Sequence, residues 1–95
     1  MGPSAFRFYL QAAINCIKSD AANGDPDIIN CFAGILDHRL EFEAKELVAV
    51  APQLASICRY ILEHYDRFMV PSDIYSDLRP RFQTLEQAFL RQMHA

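Results

Sequence analysis

The chain has no tryptophan, three glycines and three cysteines in 95 residues, and each scarcity excludes something. Three isolated glycines make no phosphate-cradling loop. Cys16, Cys31 and Cys58 are too few and too widely spaced for a disulfide framework. They form no C-x-x-C pair either, so reduced thiols in a cytoplasm are the expectation. No apolar run approaches the length of a membrane span. Strand-type alternation, internal repeats and low-complexity tracts are missing as well. Met1-Gly2-Pro3-Ser4 opens neither a signal peptide nor a myristoylation motif. Positive charge is also short. With a net charge of −3, nothing draws the protein onto nucleic acid or an anionic membrane.

What is present is enough apolar residue, 52%, to build a core without staples, and residues 1–95 read as a single helical domain. Phe6, Tyr9, Leu10, Ala13, Ile14 and Ile17 recur at helical spacing and mark one buried face. Ser4 is placed to cap that helix, and Asn23-Gly24 to end it. Asp25-Pro26-Asp27 opens a second helix, because aspartate caps, proline suits the first turn and the second aspartate meets the positive dipole end. Its apolar face is Ile28, Ile29, Phe32, Ile35 and Leu36, with Cys31 on the same side. Gly34 inside it implies close approach of a neighbouring helix.

Residues 37–50 read either as a short helix anchored by Phe42 and Leu47 or as a connector. Pro52 starts a third helix, whose stripe runs through Leu54, Ile57, Cys58, Ile61, Leu62, Tyr65, Phe68 and Met69. After a break at Val70-Pro71 and a cap at Ser72-Asp73, the last segment buries Ile74, Leu78, Phe82, Leu85 and Phe89. Pro80 predicts a kink there, or two abutting helices. The fold class is therefore all-α, a compact bundle of four to five helices with a layer-on-layer core and no sheet.

Chemistry is hard to find in these residues. Cys58 and His64 lie six apart on one helix and point in different directions, and no nucleophile motif surrounds them. Glu63-His64 lacks the second histidine of a zinc-binding helix. The pairs Glu41/Glu43 and Glu43/Glu46 read as solvated charges without a pocket to shift them. Neither a catalytic site nor a metal or other cofactor is expected.

The surface carries more. Residues 20–46 hold seven acidic groups against Arg39 and Lys45, a local charge of −5. Asp37, Glu41, Glu43 and Glu46 are therefore candidates for docking a basic partner, as against plain solubility and helix-end charge. Phe8 lies opposite the apolar stripe of the first helix, so either another segment covers it or it anchors a partner or a second copy. Tyr60 and Arg67 join Glu63 in a polar outer strip of hot-spot composition, which an Arg59–Glu63–Arg67 ladder of i, i+4 pairs also explains.

At Ala5-Phe6-Arg7-Phe8-Tyr9-Leu10-Gln11-Ala12 the chain resembles an uncharacterised family of small bacterial helical proteins with an A-F-R-[FY]-Y-L-P-A segment. Gln11 replaces that family's proline, which implies a straighter helix here. A later P-x-x-x-x-x-x-x-[FY]-[IL] feature is similar to Pro52 through Tyr60-Ile61. In the family a further segment precedes the motif, and its absence here is expected to leave Phe8 free. The resemblance implies a bacterial, cytoplasmic helical protein and brings no catalytic residue. Together these readings lead to a non-enzymatic protein–protein interaction protein, in concrete form an immunity- or antitoxin-like blocker of a cognate partner. The alternatives are a homo-oligomeric structural or regulatory module, and a small enzyme or ligand carrier with an unrecognised site.

Overall fold

Side-chain periodicity becomes helix almost throughout a computed structural model, which describes residues 3–71 and 73–94. The order is α1 (Pro3–Lys18), α2 (Pro26–Leu47), α3 (Ala51–Glu63) and α4 (Leu78–Met93). Short 3-10 turns at Asp20–Ala22, Val48–Val50 and Tyr65–Phe68 join them. Among the described residues there is no strand, so the all-α reading holds. No described helix is long and apolar enough to cross a membrane.

The core forms where the stripes meet. Phe6, Leu10 and Ile17 of α1 join Ile29, Phe32 and Leu36 of α2, Leu54, Ile57 and Ile61 of α3, and Leu78, Phe82 and Phe89 of α4. The most extensive helix contact is between α3 and α4. Arg59 Nε lies 2.9 Å from Glu86 Oε2 at that seam, with Glu86 buried and Arg59 reaching outward. Arg59 thus leaves the i, i+4 ladder expected with Glu63, because a buried carboxylate needs a partner more than an exposed one does.

Several local expectations hold. Asp25 caps α2 by accepting the Asp27 N–H at 3.1 Å, with Pro26 in the first turn. Pro52 occupies the first turn of α3. Residues 37–47 prove helical, with a kink at Glu43 (φ −140°, ψ 35°) where the chain departs from helical geometry. The caps expected at Ser4 and Ser72 lie beyond what is described, since neither the Ser4 side chain nor residue 72 is.

Others are corrected. α1 ends at Lys18, ahead of Asn23-Gly24, and of that pair only Gly24 takes the left-handed conformation (φ +72°). α3 stops at Glu63, so Met69 falls outside it and is exposed, in left-handed backbone (φ +52°). Pro80 neither kinks nor breaks α4. It sits in the first turn, where its missing N–H has no intrahelical partner to lose, and Asp77, not Asp73, takes the N-cap position. Ile74 and Phe42, both expected as anchors, are exposed, and so is Cys31.

Gly34 brings no helix close. It is exposed, and a Cβ built there meets nothing within 4 Å. Its backbone is helical without a positive φ. Gly34→Ala should therefore raise stability by about 0.5–1 kcal/mol, through lost freedom of the unfolded chain. A urea midpoint that stays put or falls would show that the groove beside Gly34 depends on its bareness.

Candidate interaction face

The residues singled out by sequence separate into two groups in space. Arg67, Tyr60, Asp37 and Glu43 are engaged inside the fold. Phe8, Glu41 and Glu46 face solvent.

Arg67 is the most heavily engaged. Its Nε donates to Asn23 Oδ1 at 2.6 Å, and Nη1 donates to the Ile17 carbonyl at 3.0 Å and the Tyr60 hydroxyl at 2.5 Å. Nη2 donates to the Ser19 carbonyl. The guanidinium also lies 5.2 Å from the Phe68 ring centre. Carbonyls at the end of α1 lack intrahelical donors and carry partial negative charge, so a planar cation satisfies both needs. In return the Gly24 N–H donates to the Arg67 carbonyl at 2.9 Å. Tyr60 is half-buried, stacked on His64 at 4.2 Å. The polar strip expected on α3 is thus a clamp between two turns.

The acidic segment is divided likewise. Asp37 accepts from Arg81 Nη2 at 2.6 Å and Nε at 3.1 Å, tying α2 to α4. Glu43 pairs with Arg39, whose guanidinium lies 4.6 Å from the Phe6 ring centre and is almost fully buried. Glu41 and Glu46 remain exposed on α2.

A different surface emerges between α1 and α2. Tyr9, Ala12, Ala13 and Cys16 of α1 face Ile28 and Cys31 of α2 across an open apolar groove. The groove continues past Gly34, Ile35 and His38. Small side chains on both helices keep its floor low. Phe8, 82% exposed, lies on the crest of α1 away from the core, outside the groove's lining. Phe42, 67% exposed, packs its ring 4.8 Å from His38 at the far end of α2. Burial, with the nearby Cys31 thiol as a lesser cause, raises the Tyr9 phenol above its usual range. The Tyr75 hydroxyl donates to Asp27 Oδ1 at 2.5 Å at the opposite end, and that bond raises the Tyr75 phenol.

Sequence reasoning found Phe8 and missed the rest. Cys31 and Ile35 fall on the edge of the α2 stripe, and periodicity alone does not say that α1 leaves that edge open. The run of small residues Ala12, Ala13, Cys16 and Gly34 was the available signal.

The thiols report this geometry directly. Cys16 and Cys31 are exposed, while Cys58 is fully buried. Burial first, then the Glu86 and Asp37 carboxylates, push the Cys58 thiol up to about 12. Native protein should release two equivalents with a thiol reagent and the third only after unfolding. Three fast equivalents would contradict the packing around α3.

Among the described residues no group of three or more His, Cys, Asp and Glu side chains could hold a metal ion. The groove between α3 and α4 is polar, lined by Arg59, Glu63, Arg79, Gln83 and Glu86, and the Arg59–Glu86 pair fills its charge requirement internally. Comparison with protein-family models, curated proteins and solved structures finds no match to the chain. The likeness at residues 5–12 therefore rests on those residues alone.

Proposed function

We propose that this chain is a non-enzymatic interaction protein and that the α1/α2 face is where it docks another protein surface. The observation that carries the reading is the open apolar groove between α1 and α2, which reaches His38 and through it the exposed Phe42 ring, with Phe8 exposed on the same α1. Single exposed apolar residues are ordinary, whereas a contiguous patch with a groove is a feature of binding surfaces. Anchoring aromatics beside small residues supply knobs and holes for a helical surface. Arg67 and Tyr60, hot-spot types by composition, are consumed by the fold and play no part in this face. The narrower picture of an immunity- or antitoxin-like blocker draws on size and acidity, and the face adds nothing to it.

A photo-crosslinker attached through Cys31, in a variant carrying Cys16→Ser, tests the face. Adducts to protein, of whatever identity, should form from Cys31 in an extract of cells that naturally make the chain. A control label at Gln87→Cys on α4, in a variant also carrying Cys16→Ser and Cys31→Ser, should give none. Equal labelling from both positions, or none from Cys31, would count decisively against a docking role.

A further inference from the structure

The occupant of this face can be argued from charge. α1 carries Arg7 and Lys18 and no acidic residue, whereas α2 carries Asp27, Asp37, Glu41, Glu43 and Glu46 against Arg39 and Lys45. The two helices run antiparallel: Phe6 lies level with Arg39, and Ile17 shares the groove with Ile28. By the same register Phe8 is level with Asp37, and Lys18 with Asp27.

We infer that the face binds a second copy of this chain about a two-fold axis lying in the face and parallel to the helices. The inference rests on the docking role above and names its partner. Such an axis keeps each residue at its own height and exchanges the two helices, so α1 of one copy lies over α2 of the other. Phe8 then meets the bare backbone at Gly34 and the His38 edge, where a Cβ has open space.

The flanks agree with this arrangement. At 100° per residue, Arg7, Gln11 and Lys18 lie on the flank of α1 turned away from α2. On α2, Asn30, Asp37 and Glu41 lie on the flank turned away from α1, the side on which Arg81 reaches Asp37 and Asn30. The two-fold brings those flanks together, placing Arg7 of one copy within a helical turn of Glu41 of the other, twice. Two acidic proteins gain nothing from meeting at random, but here each basic helix faces an acidic one. Both Arg7 and Glu41 are exposed, and neither belongs to the hydrogen-bonded clamps described above.

Sedimentation of the purified full chain over a wide concentration range tests the pairing, with thermal unfolding to verify that each variant is folded. The wild type should dimerise, and Phe8→Asp should weaken the dimer by at least about tenfold, the loss of a central aromatic anchor. Arg7→Glu and Glu41→Arg should each weaken self-association through like charges met twice. Mixing those two variants should restore it, because every contact in the mixed dimer then joins opposite charges. A wild type that stays monomeric, a dimer indifferent to Phe8→Asp, or single variants that fail to recover on mixing would each overturn the inference. Its failure differs from failure of the docking role: a monomer that still crosslinks through Cys31 to another protein has the face and a different partner.

Discussion

Arg67→Ala is expected to destabilise the protein by about 2–4 kcal/mol, enough to lower its melting temperature by roughly 10–25 °C for a chain of this size. Four hydrogen bonds leave with the guanidinium, and their acceptors come from three places: the end of α1, the turn after it, and Tyr60 of α3. The Ile17 and Ser19 carbonyls lose charged donors, but the Ser19 carbonyl keeps the Ala22 N–H, so of the two only the carbonyl of buried Ile17 is left without its donor. Arg67→Lys should recover less than half of the loss, since a single ammonium cannot reach acceptors arranged for a planar fork. Hydrogen exchange should quicken at residues 19–24 and 65–69 together, because the Gly24 N–H bond to the Arg67 carbonyl couples the two turns. A loss below about 1 kcal/mol would mean that water replaces the fork and that the clamp is incidental.

That clamp marks where the sequence stops being informative. Positions whose fate depends on their own helix were readable: the α1 stripe, the Asp25 cap and the prolines at the start of α2 and α3. Each reports a local geometry that a propensity or cap rule describes. Arg67 was placed on a helix surface because Glu63 and Arg59 stand at i−4 and i−8. Tyr60, grouped with it in the same strip, is one of its acceptors, but the other three lie 44 to 50 residues away in the chain, and no local spacing points to them. Arg59 was drawn from the same ladder by Glu86, for the same reason.

Pro80 was misread differently. Its effect depends on where the helix begins, and the turn before Leu78 decides that. Phe42 and Ile74 satisfy an apolar period but stay exposed, and the only ring that Phe42 meets among the described residues is His38 of its own helix. Periodicity reports which residues could be buried together, while burial also needs an opposing surface. The α1/α2 face is the converse case. It is a stretch where both helices have an apolar edge and nothing described lies over it, so it could be recognised only once the two helices were side by side.

Cys58 should make the protein alkali-sensitive in a way that one substitution reverses. The unfolded thiol ionises near its ordinary 9.0, whereas the folded one is held up to about 12 by burial and by the Glu86 and Asp37 carboxylates. Below the unfolded value both states are neutral and the full stabilisation is present. Above it the unfolded chain loses a proton that the folded chain keeps, so stability falls as pH rises and is exhausted near the folded value. The slope approaches 1.4 kcal/mol per pH unit, which removes about 2–3 kcal/mol by about pH 11. Tyr9 and Tyr65, both raised chiefly by burial, act in the same direction from their ordinary 10.0 upward.

Cys58→Ala separates the thiol from these phenols and from the general loss of lysine charge. At neutral pH the variant should be less stable by about 1 kcal/mol, the packing lost with a small buried side chain. Its own decline with alkali should be shallower, since no buried thiol is left to resist ionisation. The two stability curves should therefore cross above pH 9, with the alanine variant the more stable protein at about pH 11. Urea midpoints measured at intervals across that range decide the matter. Parallel curves would show that the interior around α3 opens far enough for the thiolate to be solvated in place.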